Sequence, residues 1–233
     1  MSFIVLEGLD GSGKTTQIEL LSDFFKSKNR EVEFFHFPTT DSAIFGDLIA
    51  RFLRGEFGSL EDVNPYLVAL LFAGDRFNLS KKIFTWLNEK KYIITDRYVY
   101  SNIAFQGAKF LSEEEQNRIS DWIFELEYNY FKIPKPDLSI FLNVPFEFTK
   151  NNLLNKRIGN DRNYLQGKED IHEANLNFQS QVYKLYNNSI EKDDNFIKLD
   201  CFDENNKIFD KKIISEKIIE LLFDRKLIND LVI

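Results

Sequence analysis

An eight-residue stretch from Gly8 to Thr15 constrains the fold of this chain more than any other feature. It reads GLDGSGKT, follows the short apolar run Phe3 to Leu6, and leads into residues with the apolar spacing of a helix. This order of strand, glycine-rich loop and helix is the context in which phosphate-binding loops occur. Backbone N–H groups can converge on phosphate oxygens there, and the helix N-terminus adds partial positive charge. We predict a triphosphate site made by Gly8, Asp10, Gly11, Ser12, Gly13, Lys14, Thr15 and Thr16.

A loop of this kind works with a divalent cation. Lys14 is spaced to reach the outer phosphates, and the hydroxyl of Thr15 is a ligand for a bound Mg²⁺. Asp96 follows the apolar run Tyr92 to Thr95 and is the second candidate metal ligand. We therefore expect Mg²⁺ as the cofactor, bound together with the nucleotide.

Composition and charge limit the other function classes. The chain has 233 residues, enough for one substantial domain, and a net charge of −7 from 37 acidic and 30 basic residues. An acidic chain is a poor partner for a nucleic-acid polymer, because such binding needs an excess of Lys and Arg on one face. The sequence has one cysteine, Cys201, and no window approaches the ~20 apolar residues of a membrane span. We expect a soluble, cytoplasmic protein with no membrane partner.

Strands and helices alternate along the chain, which predicts an α/β fold. The expected strands are residues 3–6, 32–37, 92–95, 138–144 and 195–199. The first expected helix follows the loop and ends at about residue 27. The later ones are expected at about residues 41–53, 65–90, 112–131, 171–190 and 210–225. Leu67, Leu70, Leu71, Phe72, Ile83 and Leu87 are expected to face the core. We predict a three-layer, doubly wound, five-stranded parallel sheet with helices on both faces, in one domain over residues 1–233.

Three further stretches carry charge or aromatic groups suited to a second ligand. Arg97 follows a central strand, where it can bridge donor and acceptor phosphates. Phe72 and Arg76 lie four residues apart on one helix face, so a ring can stack on a base while a guanidinium reaches its edge. Arg157 and Arg162 lie in a polar segment at about residues 155–169, which has no helix or strand period. We expect this segment to act as a mobile lid.

These stretches resemble the thymidylate kinase family. The resemblance covers nearly the whole chain and rests on LEGLDGSGKTTQ, the Phe37-Pro38 step, LLFAGDR, DRYVYSNIAFQGAK and PKPDLSIFL, in that order. It implies the nucleoside monophosphate kinase type of phosphate-loop fold, transfer of phosphate from ATP to dTMP, and a homodimer. A phosphate loop alone would also fit GTPases and ATP-driven motors.

The resemblance also implies roles for particular residues. Asp10 would lie near the 3′-hydroxyl of the acceptor sugar, and Arg97 would clamp the acceptor phosphate against the donor. Phe72 would stack on thymine, and Arg76 would hydrogen-bond a thymine carbonyl. The remaining pocket residues would be Phe37, in a cis peptide bond to Pro38, and Ser101, Asn102, Phe105 and Gln106.

The chain departs from the family pattern at two points. Thr39-Thr40-Asp41 stands where many relatives have an arginine that binds the acceptor phosphate. Gly11 follows Asp10 where one group of relatives has a catalytic arginine, so that charge must come from the lid. The predicted catalytic residues are therefore Lys14, Arg97, Arg157 and Arg162. Two alternatives remain open: a kinase for another deoxynucleotide or a deoxynucleoside, and a nucleotide-dependent switch or binding module.

Overall fold

A five-stranded, all-parallel sheet forms the centre of the molecule in the computed structural model, which describes residues 1–154, 164–168, 170–173 and 175–228. The strand order is β2-β3-β1-β4-β5. The strands are β1 Phe3–Glu7, β2 Val32–His36, β3 Tyr92–Asp96, β4 Leu138–Asn143 and β5 Phe196–Asp200. The predicted doubly wound parallel sheet is confirmed, and each strand lies within two residues of its expected bounds.

Helices cover both faces of the sheet. They are α1 Lys14–Ser27, α2 Phe45–Leu53, α3 Pro65–Asn88, α4 Val99–Gly107, α5 Glu113–Phe124, a π-helix Glu125–Tyr130, α6 Phe146–Leu154, α7 Leu176–Ile190 and α8 Lys211–Asp224. Helices α1 and α8 pack on one face through side chains such as Leu21 and Ile218. Helices α3, α4, α5 and α7 pack on the other face through side chains such as Ile83 and Val182.

The register of the central strands decides where a site can form. Leu6 of β1 pairs with Asp96 of β3, and His36 of β2 pairs with the same Asp96. The carboxyl ends of these three strands therefore reach one edge of the sheet together. In open parallel sheets that edge is where ligands bind.

Several helix bounds differ from the expected ones. Helix α2 begins at Phe45 rather than beside Ser42, whose hydroxyl accepts a hydrogen bond from the N–H of Gly46 at 2.9 Å. Ser112 caps the expected helix near residue 112, since its hydroxyl accepts from the N–H of Glu115 at 3.2 Å, but this helix becomes a π-helix after Phe124. Helices α4 and α6 were not predicted at all. All nine residues of α4 are buried, so its sequence has no amphipathic period to reveal it.

The residues of the long helix α3 that face the core differ in part from the predicted ones. Leu67 and Leu70, expected to face the core, are 62% and 39% exposed. With Phe77 and Phe84 they form an apolar stripe on the outer face of α3, while Ile83 is fully buried. The prediction failed because apolar residues at helical spacing do not distinguish a helix face that packs on the core from one that is exposed in the single chain.

The lid and the domain assignment stay predictions. Arg157 and Arg162 lie outside the described residues, as do the other residues at positions 155–163 and the residue at position 169. No described helix combines the length and the apolar character that crossing a membrane requires.

Candidate active site

The glycine-rich loop joins β1 to α1 at the edge of the sheet where the strands end. Gly11 and Gly13 adopt φ values of 81° and 89°, a left-handed backbone conformation that residues other than glycine rarely adopt. This backbone lets the chain turn directly into α1, whose first residue is Lys14. The Lys14 ammonium donates to the carbonyl oxygens of Gly8 and Leu9 at 3.2 and 3.1 Å. It is held over the loop, at the N-terminus of α1.

Arg97 leaves β3 beside this loop. Its backbone has a φ of 67°, and its N–H donates to the carbonyl of Leu6 at 2.9 Å. The guanidinium donates to Asp10 Oδ1 at 2.6 Å and to Ser101 Oγ at 3.0 Å. Burial lowers the pKa of Arg97, but nearby acidic groups, with Asp10 first, raise it above its ordinary value. Arg97 therefore stays charged and faces the same space as the phosphate loop.

A buried carboxylate that the sequence did not single out fixes this arrangement. Glu7, the last residue of β1, is fully buried, and its Oε1 accepts from the N–H groups of Tyr98 and Ser101 at 2.9 and 3.2 Å. Its Oε2 accepts from the hydroxyls of Ser101 and Tyr186 at 2.5 and 3.0 Å. Burial raises the pKa of Glu7. The carboxylate caps the start of α4 and so positions the helix that brings Ser101, Asn102, Phe105 and Gln106 to a cavity.

The structure brings most of the predicted site residues to one cavity of about 570 Å³. Gly8 and Ser12 belong to the loop but do not line the cavity. The predicted Phe37-Pro38 cis peptide is present. The predicted residues that line the cavity are Asp10, Gly11, Gly13, Lys14, Thr15, Thr16, Phe37, Phe72, Arg76, Asp96, Arg97, Ser101, Asn102, Phe105 and Gln106.

The far end of the cavity is shaped for a flat group with polar edges. Phe72 and Arg76 of α3 face Asn102, Phe105 and Gln106 of α4 across it. Both Asn102 Oδ1 and Gln106 Oε1 are buried and accept no hydrogen bond from a described residue. Arg76 is almost fully buried and pairs with Glu127 at 2.5 Å, a partner that no sequence pattern indicates.

Residues that sequence reasoning missed form a second wall. Asp170, His172 and Glu173 line the cavity, and the hydroxyl of Tyr164 donates to Asp170 at 2.8 Å. Burial, with help from Asp10 and Glu173, raises the pKa of Asp170 to about 7. Burial also lowers the pKa of His172, whose ring lies 4.9 Å from the ring of Phe105. Only their place just after the polar segment could have pointed to these residues.

The first departure from the family pattern has a structural counterpart. Thr39 does not line the cavity; its N–H donates to Asp75 at 2.8 Å, and its hydroxyl also donates to Asp75. His36, which is not among the predicted site residues, lines the cavity with its Nδ1 3.2 Å from Asp96. Among the described cavity residues, the permanent cations are Lys14, Arg76 and Arg97.

The predicted metal ligands fit a hydrated Mg²⁺. Asp96 is buried, yet its Oδ1 accepts no hydrogen bond from a described residue, and Thr15 lies exposed at the cavity. No group of three His, Cys, Asp or Glu side chains in the described part of the chain could hold a metal. Mg²⁺ commonly takes one or two protein ligands and completes its shell with water and substrate phosphates. The residues present therefore suit a metal that arrives with a nucleotide.

Fold and site together define a phosphate-loop protein with the nucleoside monophosphate kinase fold. The family model described as thymidylate kinase matches residues 6–212, so the chain belongs to the thymidylate kinase family.

Individual relatives agree with this assignment. The chain is 44% identical over 147 residues to a probable thymidylate kinase of Pyrococcus horikoshii, which covers 61% of this chain and 65% of the relative. It is 35% identical over 144 residues to the thymidylate kinase of Mycobacterium tuberculosis, which covers 62% and 66%. The matches thus span about two thirds of the length of these two relatives. A solved structure of the Candida albicans thymidylate kinase superposes with a TM-score of 0.73 at 25% identity, over 97% of this chain and 92% of that one.

The raised pKa of Asp170 predicts how stability depends on pH. Because the pKa is about 7 in the folded chain against an ordinary 3.8, the carboxyl favours the folded state fully below about pH 4. That contribution is lost as the pH rises towards 7. Asp170→Asn removes the titration, so the stability of the variant relative to the parent should rise by about 3 kcal/mol between pH 5 and pH 8.

Chemical denaturation of both proteins at the two pH values measures this difference. His172 titrates in the opposite sense, since its lowered pKa favours the folded state at higher pH, but both proteins carry it and its effect largely cancels. Equal pH dependence of the two proteins would show that Asp170 ionises normally in the fold.

Proposed function

We propose that this protein transfers the γ-phosphoryl group of MgATP to the phosphate of dTMP and so makes dTDP. One observation carries the proposal: the phosphate loop and Arg97 face a single cavity whose far end can hold a base. A donor triphosphate on the loop and an acceptor phosphate at Arg97 would then be neighbours. The family assignment supports the choice of ATP and dTMP.

The donor side consists of the loop and its metal. Backbone N–H groups of the loop and Lys14 would hold the β- and γ-phosphates, and Thr15 with Asp96 would hold Mg²⁺ directly or through its water. When bound, Mg²⁺ supplies positive charge that offsets the charge on the β- and γ-phosphate oxygens. Lys14 lies 3.9 Å from Asp96, so the protein's own charges at this place already balance.

The acceptor side consists of residues from α3, α4 and the end of β3. Arg97 would bind the acceptor phosphate, and Asp10, which already pairs with Arg97, would meet the sugar 3′-hydroxyl. Phe72 would stack on the thymine ring, while Phe105 would press on the deoxyribose. Ser101, Asn102, Gln106 and Phe37 would complete this pocket beside Arg76.

The reaction needs positioning and charge rather than a covalent intermediate. The acceptor is a phosphate that is mostly dianionic at neutral pH, so its oxygen can attack the γ-phosphorus once the repulsion between the two anions is offset. Lys14 and Arg97 supply part of that charge, and we infer that Arg157 and Arg162 supply the rest from the lid. Closure of the lid would also exclude water and suppress hydrolysis of ATP.

The acceptor range is tested by ADP release in a coupled assay with no acceptor, dTMP, dUMP, dGMP or thymidine. We expect ADP release to depend on an acceptor and to be fastest with dTMP, because the pocket holds both a base and a phosphate. Equal or faster turnover of thymidine would replace the monophosphate kinase with a nucleoside kinase. ADP release that ignores every acceptor would favour a nucleotide-dependent switch.

The lid assignment is tested by Arg157→Ala, Arg162→Ala and the double variant. At least one should lower kcat by ~10³-fold or more, because a cation that stabilises transition-state charge is lost. Arg118→Ala is the matched control: Arg118 is an exposed arginine on α5 that pairs with Glu114, four residues away. Near-parental kcat in all three lid variants would remove both arginines from the catalytic set.

We further infer a cytoplasmic homodimer. The apolar stripe on α3, made by Leu67, Leu70, Phe77 and Phe84, is a surface that a second copy could cover. Cys201 is a free, buried thiol, which suits a reducing compartment. Light scattering should give about twice the mass of one chain, and the mass of a single chain at micromolar concentration would contradict the dimer.

A further inference from the structure

One buried carboxylate near the cavity has no part in the chemistry described above. Glu127 lies in the π-helix between α5 and β4 and is fully buried, but it does not line the cavity. Its backbone carbonyl accepts from the N–H of Ile133 at 3.1 Å, which fixes the turn that carries it. A buried carboxylate is costly unless it is paired, so its partners indicate its purpose.

The first partner is Arg76. The Nε and Nη2 atoms of Arg76 donate to the two oxygens of Glu127 at 2.5 and 2.6 Å, a two-pronged contact that fixes the plane of the guanidinium. The same plane lies over the rings of Phe37 and Tyr98, with its central carbon 6.0 and 5.9 Å from their centres. Because Nε–H and one N–H of Nη2 are engaged by Glu127, Nη1 is the nitrogen best placed to donate to a ligand.

The second partner is Asn102. Its Nδ2 donates to Glu127 Oε1 and to the carbonyl of Ala69, both at 3.0 Å. Both hydrogens of the amide are thereby engaged, and the alternative amide orientation would turn Oδ1 towards two acceptors. The Oδ1 atom, which is buried and accepts from no described residue, is left for a ligand.

Glu127 therefore sets a hydrogen-bond pattern on the cavity wall, with a fixed acceptor at Asn102 next to a fixed donor at Arg76. The matching edge of a base has an N–H beside a carbonyl oxygen, as thymine and uracil have. Cytosine presents a ring nitrogen that accepts and an amino group that donates, so both contacts would be mismatched. A mismatched buried polar pair is a strong source of discrimination.

We propose that Glu127 is the positioning residue that makes this site select a base with an imide edge over cytosine. The inference rests on the proposed function, since it assumes that the base end of the cavity holds the acceptor nucleotide. Glu127 acts only through Arg76 and Asn102 and touches no substrate itself.

Glu127→Gln tests the proposal in the full-length protein. Glutamine keeps the shape but replaces one carboxylate oxygen by an amide N–H₂. If its oxygen takes the place of Oε1, the N–H₂ group opposes Arg76 Nε; in the other orientation it opposes both Arg76 Nη2 and Asn102 Nδ2, so neither orientation satisfies all three donors. We expect kcat/KM for dTMP to fall about 10- to 100-fold, mainly through KM. The preference for dTMP over dCMP should fall about 10-fold, while KM for ATP stays at its parental value.

Tyr98→Phe is the matched control. The Tyr98 hydroxyl donates to the carbonyl of Pro134 at 2.9 Å, so it secures the same region from a buried position through a hydrogen bond that involves neither Glu127 nor Asn102. Its ring beneath Arg76 is retained in phenylalanine. We expect a lower Tm and an unchanged preference for dTMP over dCMP.

Two outcomes would overturn the inference. The first is a Glu127→Gln protein that is folded and retains the parental preference for dTMP over dCMP. The second comes from Glu127→Asp, which is the variant to use if Glu127→Gln does not fold. Aspartate keeps the negative charge that Arg76 requires but is one methylene too short to serve both partners. A folded Glu127→Asp protein with full parental preference would also refute the role.

Calorimetric binding of dTMP and dCMP separates this inference from the proposed function. A parent that binds dTMP better than dCMP but releases no ADP would refute the kinase while leaving the base selection testable in the variants. A parent with active turnover whose Glu127 variants keep the same binding preference would refute the inference alone.

Discussion

The pairing of β1 with β3 is the constraint on which the site depends. Leu6 lies opposite Asp96 in this register, and the N–H of Arg97 continues the pairing by donating to the carbonyl of Leu6. Two stretches almost ninety residues apart in sequence therefore end side by side. The phosphate loop follows the end of β1 and Arg97 follows the end of β3, so a shift in register would separate them. Glu7 strengthens the same junction, because it links the end of β1 to the start of α4 through three hydrogen bonds and to Tyr186 of α7 through a fourth.

Local electrostatics would let an acidic chain hold the two phosphorylated ligands that we propose. The net charge is −7, yet Lys14, Arg76 and Arg97 converge on one cavity. Each of these cations has a nearby carboxylate, respectively Asp96, Glu127 and Asp10, which limits the cost of burying it. The pair at Glu127 is wholly buried and fixes the orientation of the Arg76 guanidinium. The pairs at Asp10 and Asp96 border the cavity, so their cations can also contact a ligand.

Much of the architecture could be predicted because it follows local rules. The phosphate loop, the five strands and the place of Arg97 depend on short motifs and on strand periodicity. The buried partners could not be predicted: Glu7 contacts Tyr186 across 179 positions of sequence, and Glu127 contacts Arg76 across 51. No short-range pattern encodes such pairs. Helix α4 was not predicted for a related reason, since a helix buried on all sides has no polar face and therefore no amphipathic period in its sequence.

We propose that one cavity binds donor and acceptor together, with their phosphates adjacent. The most direct test is equilibrium binding of a single molecule in which adenosine and thymidine are joined through a chain of phosphates. We expect one molecule per chain, competition with both ATP and dTMP, and a Kd at least ~100-fold below that of dTMP alone, because the second contact becomes intramolecular. A linked molecule that competes with only one of the two nucleotides, or binds no more tightly than dTMP, would contradict the shared cavity.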